Sequence, residues 1–315
     1  MKKLPIEYIS NRKNYYLFKK DTGVSTWLRE GKIWEEVLHD IIKDINLEGT
    51  VIVDIGANLG AHTLEFADKV GNTGCVYAFE PQRIVYYQLC TNIFINGYDN
   101  IYAFNKALSD KNGITHIEEQ DFYFNGTLNI GNTHIMNHGK PVEEMKLDDF
   151  NLNNVSLIKI DVQGYEPFVL KGSIETIKRN KPIILIEIED EHLSMFNKSS
   201  SDIISFLNDC SYVIFNVNNF DYLAIPKDFK TKLNSFKVSF SDKLYIESFI
   251  ENFKNCKLYV RDPISKIIYH NQILNFDTKI QWWFIFDWID ELMDILVQIY
   301  DENNILVYEK IISKK

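Results

Sequence analysis

The segment VIVDIGANLG, residues 51–60, decides the fold. An apolar run ends at Asp54, as in strands that are buried on both faces of a parallel sheet. The chain then turns on Gly56, where glycine lets the backbone approach a ligand closely, and a helical pattern begins at Gly60. The start of a helix adds unpaired N–H groups with partial positive charge. Asn58 stands where a dinucleotide fold needs glycine, so the segment predicts a nucleotide-like ligand without a pyrophosphate.

Further strand-like and helix-like segments alternate along the chain after this turn. The predicted strands are VIVDIG (51–56), CVYAFEP (75–81), NIYAFNKALSD (100–110), SLIKID (156–161), PIILIEIE (182–189), YVIFNV (212–217) and DYLAIP (221–226). Such alternation implies right-handed crossovers and a doubly wound sheet. The last two strands are joined by NNF only, which is too short for a parallel crossover, so they must be antiparallel. The predicted fold class is α/β with a mostly parallel sheet.

The pattern changes after Pro226, and helical periodicity is largely lost from about Asp242 onward. We predict a first domain at residues 1–228, with an N-terminal extension at 1–30 that has no clear period. A mixed linker is followed by closely spaced strand-like segments such as CKLYVRD and DILVQIYD. We predict that residues 241–315 form a small all-β, sandwich-like accessory domain.

Composition limits the classes of partner. The chain has 315 residues and a formal net charge of -10, which disfavours nucleic acid and acidic membrane surfaces. Its 4 cysteines are scattered, as expected for free thiols in a reducing compartment. The N-terminus lacks a secretory pattern, and the apolar runs are too short to span a bilayer. We therefore expect a soluble, cytoplasmic protein, with homo-oligomer formation left open.

Several acids stand at strand ends, where the ligand crevice of such a sheet lies. Glu80 ends the second predicted strand and can accept hydrogen bonds from both ribose hydroxyls. Asp161 ends the fourth and points to the same crevice, although it could also cap the following helix. For Glu187 and Glu166 the functional and structural interpretations are evenly balanced. His62 could touch substrate or simply pack in the first turn of its helix.

Four segments together resemble the FkbM-type S-adenosylmethionine-dependent methyltransferases. They are DIGANLGAHT (54–63), AFEP (78–81), NKALSD (105–110) and IKIDVQGYEPFVLKG (158–172), the last followed by PIILIEIE. The resemblance covers roughly residues 30–227. It implies the Rossmann-like, seven-stranded sheet of class I methyltransferases and S-adenosyl-L-methionine as cofactor.

The resemblance also implies a set of site residues. The cofactor-binding set is Asp54, Gly56, Asn58, Gly60, Glu80, Pro81, Ala107, Leu108 and Asp161. The first three line the methionine side of the cofactor, Glu80 holds the ribose, and the Ala107–Leu108 pair lies beside the adenine. Asp161 lies near the transferred methyl. This chain has Gln163 where the family more often has Glu, which removes one acid from the possible site.

The leading hypothesis is O-methylation of a sugar, nucleotide-sugar or glycan acceptor. A carboxylate can accept the hydroxyl proton, and Asp161 is the first candidate, with Glu187 second; His62 and Glu166 are candidate substrate contacts. Some enzymes with this fold use a divalent ion instead, but no residues here define a metal site. The alternatives are a non-catalytic cofactor-binding or carbohydrate-recognition module and a methyltransferase for another small hydroxylated metabolite.

The polar insertion that carries His134 is of a kind that often covers active sites.

Overall fold

The structure is a computed structural model that describes residues 3–43, 45–227 and 229, and beyond these the backbone of further strands. The chain divides into two compact units. The first comprises Met1–Glu36, Leu47–Ile214 and Phe220–Lys227, and the second comprises Val37–Asn46, Phe215–Asn219 and Asp228–Lys315. In the described part of the chain, no helix is long and apolar enough to cross a membrane.

Helices and strands are interspersed up to residue 226. In chain order they are β1 (Ile6–Ser10), β2 (Asn14–Phe18), α1 (Val24–Arg29), α2 (Glu36–Ile42), β3 (Val51–Ile55), α3 (Ala61–Val70), β4 (Cys75–Phe79), α4 (Arg83–Ile95), β5 (Ile101–Phe104), β6 (Ala107–Leu108), β7 (Gly113–Ile117), β8 (Ile135–Met136), β9 (Lys140–Met145), β10 (Val155–Ile160), α5 (Glu166–Lys171), α6 (Ile174–Asn180), β11 (Ile183–Glu187), α7 (Asp190–Ser194), α8 (Ser200–Asp209), β12 (Tyr212–Asn218) and β13 (Asp221–Pro226). Short 3-10 helices lie at Gly71–Thr73 and Leu147–Phe150.

The main sheet has seven strands in the order β12-β13-β11-β10-β3-β4-β5. The strand β3 pairs in parallel with β10 and β4, while β13 runs antiparallel to β11. This arrangement confirms the predicted α/β class, with a mostly parallel sheet and a reversed strand towards one end. The order reverses on either side of β3, so a ligand crevice opens where its carboxyl end meets those of β10 and β4.

The sheet is covered on both faces because successive side chains of a strand point to opposite sides. In β4, Phe79 packs in an apolar cluster with residues of α5, α6 and α8. Its neighbour Ala78 packs in another cluster with residues of α3, α4 and β2. Both side chains are almost fully buried. Double coverage explains why the strands are continuous apolar runs rather than alternating patterns.

Two parts of the fold go beyond the sequence-based prediction. The N-terminal extension forms the antiparallel hairpin β1–β2. The insertion before β10 contributes to a small sheet of order β6-β9-β7-β8. The predicted third strand, 100–110, is divided into β5 and β6, and at the break the Asn105 side chain donates to the carbonyl oxygens of Glu80 and Pro81 at 2.9 Å each. A backbone bridge from Asp21 to Leu128 joins the N-terminal segment to the insertion.

Beyond residue 229 the structure describes the backbone of strands only. They are β14 (Phe236–Phe240), β15 (Leu244–Ser248), β16 (Phe253–Arg261), β17 (Ile268–Phe276), β18 (Gln281–Phe284), β19 (Asp294–Tyr300) and β20 (Leu306–Ser313). They form a sheet of order β14-β15-β18 and another of order β17-β16-β19-β20. The first of these strands begins at Phe236, before residue 241, the predicted start of the accessory domain. The sandwich itself remains a prediction.

Candidate active site

A cavity of about 480 Å³ lies in the first compact unit, where β3, β4, β10 and β11 end. Gly56, Asn58 and Glu80 line it from the ends of β3 and β4. Asp161 and Glu187 line it from the ends of β10 and β11. The structure therefore brings the predicted cofactor acid and both predicted catalytic acids into one cavity. Pro81, Ala107 and Leu108, the other predicted cofactor contacts at strand ends, also line it.

The turn after β3 is held by close contact with the end of β10. Gly56 has φ +82°, and a Cβ at this position would lie 1.8 Å from the carbonyl oxygen of Asp161. The Asp161 N–H donates to the carbonyl of Ile55 at 3.0 Å. Glycine at residue 56 is thus required by the neighbouring strand, whatever ligand binds. Asn58 also has positive φ, and its Oδ1 is buried without a hydrogen-bond partner among the described residues.

Glu80 is a buried acid whose two oxygens hold the backbone of the cavity wall. Oε2 accepts the N–H of Asn58 at 2.9 Å, and Oε1 accepts the N–H of Gln82 at 2.8 Å. Burial raises the pKa of Glu80 to about 7, although both hydrogen bonds favour the ionised form. Each carboxylate oxygen can accept a second hydrogen bond. Glu80 can therefore still receive hydroxyl donors from the cavity.

Asp161 is held as a carboxylate by a buried cation. Lys159 Nζ lies 2.9 Å from Oδ2, and Gln163 Nε2 donates to Oδ1 at 3.0 Å. Burial opposes ionisation of Asp161, but the charge and the hydrogen bonds of these neighbours outweigh it. The pKa of Asp161 therefore lies below its ordinary value. This acid presents a fixed negative charge and has little affinity for a proton at neutral pH.

Glu187 has the opposite protonation preference. Burial first, and then the adjacent charge of Asp161, raise its pKa well above the ordinary value. The same Gln163 amide that binds Asp161 donates to Glu187 Oε2 at 2.7 Å. Gln163 thus supplies a donor that links the two carboxyl groups. At neutral pH the pair holds one negative charge, because Glu187 keeps its proton.

The remaining predicted cofactor contacts lie outside the cavity lining. Asp54 is fully buried, and its Oδ2 accepts the Thr63 hydroxyl at 2.6 Å. Gly60 has φ +97° as it begins α3, and a Cβ there would lie 2.8 Å from Leu89 Cδ1. Both residues support the turn on which Asn58 stands.

The two candidate substrate contacts also lie behind the cavity wall. His62 Nε2 is 2.9 Å from Oε2 of Glu35, and it is Glu35 that lines the cavity. Glu166 accepts the N–H groups of Val162 and Gly164 at 3.1 Å each, which stabilises the turn after β10. Burial raises the pKa of Glu166 to about 7. These placements give His62 and Glu166 supporting positions.

Several residues of the cavity wall had no role predicted from the sequence. His192 in α7 lines the cavity, together with Glu189 just before it. The ring of His134, from the insertion, meets the His192 ring edge-on at 5.0 Å between centroids. The insertion was expected to cover a site, but nothing in the sequence paired these two histidines. Within the described ranges, no group of three or more His, Cys, Asp or Glu side chains could hold a metal ion.

Comparison with known proteins identifies the family. Residues 54–214 match the methyltransferase FkbM domain. The chain is 25% identical over 176 residues to the 2-O-methyltransferase NoeI of Sinorhizobium fredii (strain NBRC 101917 / NGR234), which is 50% of this chain and 71% of that protein.

Solved structures that match part of the chain include two methyltransferases. The methyltransferase FkbM from Methylobacillus flagellatus KT is 19% identical, with a TM-score of 0.39 over 56% of this chain and 43% of that chain. A SAM-dependent methyltransferase from Aquifex aeolicus is 16% identical, with a TM-score of 0.36 over 59% of this chain and 89% of that chain. The domain match covers just over half of the chain, and on that match the chain belongs to the FkbM family of S-adenosylmethionine-dependent methyltransferases.

Proposed function

We propose that this chain transfers a methyl group from S-adenosylmethionine to a hydroxyl of a sugar or glycan. One observation carries the proposal: a single cavity is lined by Glu80 at the end of β4 and by Asp161 and Glu187 at the ends of β10 and β11. The first is the acid expected to hold a ribose. The other two lie at the adjoining strand ends, where a methyl acceptor would meet the cofactor.

The residues of the cavity suit this cofactor. Its volume of about 480 Å³ falls within the range of about 300–1,000 Å³ typical of small-molecule pockets. We propose that Glu80 accepts the ribose hydroxyls and that the unpartnered Oδ1 of Asn58 takes a donor from the methionine part. Pro81, Ala107 and Leu108 would contact the adenosine, while Asp54, Gly56 and Gly60 would shape the turn. When bound, the cofactor supplies an electrophilic methyl on a positively charged sulfur.

Asp161 and Glu187 are proposed to act at the reacting end of the cavity. The fixed charge of Asp161 suits the environment of a sulfonium, because an opposite charge stabilises it in a site of low dielectric constant. A protonated Glu187 can both donate and accept hydrogen bonds, as a hydroxyl acceptor requires. Together they would hold the hydroxyl in line with the methyl. Such alignment of the reacting groups is how positioning accelerates the transfer.

An oxygen acceptor is favoured by the polar character of the cavity and by the relative NoeI, which is named a 2-O-methyltransferase. A sugar offers several hydroxyls to the acids that line the wall. Another small hydroxylated metabolite remains the second candidate. We further propose that residues 241–315 form the accessory β domain and contribute acceptor recognition or self-association.

The test is transfer of labelled methyl from the cofactor to a panel of sugars, nucleotide sugars, glycans and non-sugar hydroxyl compounds. We expect the label to be incorporated at an oxygen of at least one carbohydrate. The assay is run in parallel with and without a metal chelator. Incorporation only into non-sugar compounds would mean that the acceptor is another small hydroxylated metabolite and not a sugar or glycan. If the protein binds S-adenosylhomocysteine but methylates nothing, the non-catalytic binding module becomes the better account.

A further inference from the structure

We propose that His192 accepts the proton of the acceptor hydroxyl and that Glu189 orients its ring; this inference rests on the proposed O-methyl transfer. The two acids expected from the sequence to take this proton are poorly suited to it in the folded protein. Both oxygens of Asp161 are already hydrogen-bonded, one of them to the buried Lys159 ammonium. Glu187 keeps its own proton at neutral pH, because burial and the charge of Asp161 raise its pKa.

His192 lies on the same wall as these two acids and has a ring nitrogen available. Its side chain is 15% exposed, while Nδ1 is buried without a hydrogen-bond partner in the described part of the chain. The exposed part is therefore the rest of the ring, which carries Nε2. The carboxylate facing Nδ1 is Glu189, whose Oε2 is 3.7 Å away. This arrangement favours the tautomer with the proton on Nδ1, because a carboxylate accepts it, and leaves Nε2 as the base.

The distance of 3.7 Å is longer than a hydrogen bond. Catalytic hydrogen bonds are often long without ligand and shorten in the complex. The segment that must move is short, because Glu189 and His192 lie at the start of one helix, α7.

The turn that follows Asp161 contacts α7 and fixes the position of Asp161 relative to His192. Gly164 has φ +95°, and a Cβ there would lie 2.5 Å from the backbone carbonyl oxygen of His192. The turn that carries Asp161 and Gln163 therefore packs directly on α7. The side chains of Asp161, Gln163 and His192 all line the cavity. A hydroxyl bound beside Asp161 would lie on the wall that His192 shares.

His134 supports the same role from the insertion. Burial, followed by the neighbouring His192, lowers the pKa of His134, against the opposing influence of Glu118. Its Nδ1 is 3.7 Å from Glu118 Oε2. A neutral His134 fixes the His192 ring edge-on without adding a second positive charge. Among the described residues, the titratable groups that face His192 are thus His134 and Glu189, with Glu187 and Glu191 on the same cavity wall.

The proposed step balances simply. The acceptor oxygen forms the new O–C bond, the methyl C–S bond breaks with its electron pair remaining on sulfur, and the O–H proton passes to His192 Nε2. The resulting imidazolium is stabilised by Glu189 and is neutralised when the proton leaves to solvent. No oxidant, reductant or metal is needed for this balance.

The experiment compares His192→Ala, Glu189→Gln and the matched control His138→Gln in the full chain. His138 is exposed and its Nδ1 is 2.7 Å from Asn137 Oδ1. Turnover on the acceptor found in the panel should fall about 100- to 10,000-fold in His192→Ala, as for loss of a general base. Added imidazole should restore part of it. Affinity for S-adenosylhomocysteine by calorimetry should be unchanged in all three variants.

Two further readouts distinguish a base from a packing residue. The acid limb of the wild-type pH–rate profile should have the midpoint at which the His192 ring titrates by NMR. In Glu189→Gln, turnover should fall less than in His192→Ala and should not be restored by imidazole, because the base is still present but its ring is no longer oriented.

Full turnover in His192→Ala, or a loss that imidazole does not restore in a variant that still binds cofactor normally, would overturn the assignment. If the wild type methylates no hydroxyl compound, the proposed function fails and this inference fails with it.

Discussion

The two sides of the cavity are built by different means. On the side proposed for the cofactor, the wall is made largely by backbone: Gly56 and Asn58 have positive φ, and Glu80 binds two backbone N–H groups. On the side proposed for the acceptor, the wall is made by side chains brought from separate segments, such as Gln163 and His192. A backbone-built wall suits a ligand that is the same in every member of a family. A side-chain wall can change acceptor without changing the fold.

The strongest way to break the cofactor side is Gly56→Ala. The new Cβ would lie 1.8 Å from the Asp161 carbonyl oxygen, at φ +82°. Overpacking costs about 1–3 kcal/mol and the left-handed conformation about 1–2 kcal/mol, so we expect a loss of roughly 3 kcal/mol in the free energy of unfolding. Denaturant melts would measure it. The control is Gly97→Ala, where φ is +73° but no described atom lies within 4 Å. A similar loss in both variants would show that the contact with Asp161 is unimportant.

On the acceptor side, Asp161→Asn should lower turnover and also stability, because it leaves the buried Lys159 ammonium without its carboxylate partner. The substitution keeps the shape but removes the charge proposed to face the sulfonium and to position the acceptor, so we expect turnover to fall by about a hundredfold. Unlike His192→Ala, it should not respond to imidazole. Asp110→Asn is the matched control, because Asp110 pairs with the exposed Lys171 at 2.7 Å. An Asp161→Asn enzyme with wild-type turnover would remove this acid from the mechanism.

These two variants also mark what the sequence could predict. The β3 turn and the strand-end acids Glu80 and Asp161 were found because apolar runs, glycines and acids are local signals. The antiparallel end of the sheet followed from a loop length. The meeting of His134 with His192 could not be predicted, because it depends on how the insertion packs against α7. The same holds for Lys159, which looks like an ordinary strand residue until its partner Asp161 is seen beside it.

A smaller effect is expected for Glu80→Ala, measured as affinity for S-adenosylhomocysteine. Loss of the carboxylate would leave the ribose hydroxyls and two backbone N–H groups without their acceptor. That costs about 1–3 kcal/mol, or roughly tenfold to a hundredfold in affinity. Calorimetry measures it directly, with Glu118→Ala as an exposed control. Wild-type affinity in Glu80→Ala would place the ribose elsewhere.

The pH dependence of binding should report the same carboxylate. Burial raises the pKa of Glu80 to about 7, so the folded protein favours its protonated form. The contribution of protonated Glu80 to the free energy of unfolding is therefore complete at pH values below the ordinary pKa of a carboxyl group. It is lost as pH rises through about 7. Ribose hydroxyls instead need the ionised form as acceptor. Cofactor affinity should therefore rise with pH through this range, by at most about tenfold per pH unit.

Glu80→Gln should flatten that rise, because the amide does not titrate. Glu166→Gln is the control, since burial also raises the pKa of Glu166 to about 7, but this acid lies outside the cavity lining. It should keep the pH dependence of affinity. If Glu166→Gln flattens the rise and Glu80→Gln does not, the titrating group has been misassigned.

The smallest effect on the cofactor side is expected from removing the C-terminal strands. The described residues that line the cavity all precede residue 193, so truncation after Lys227 should leave affinity for S-adenosylhomocysteine unchanged. Activity on a large glycan, or the oligomeric mass by light scattering, should change if residues 241–315 recognise the acceptor or another copy of the chain. The second compact unit also includes Val37–Asn46 and Phe215–Asn219, so truncation after Lys227 removes only part of that unit. A truncated protein that cannot fold or bind cofactor would show that the boundary at residue 228 cuts through a shared core. One that matches the full chain in every assay would rule out both roles proposed for the C-terminal strands.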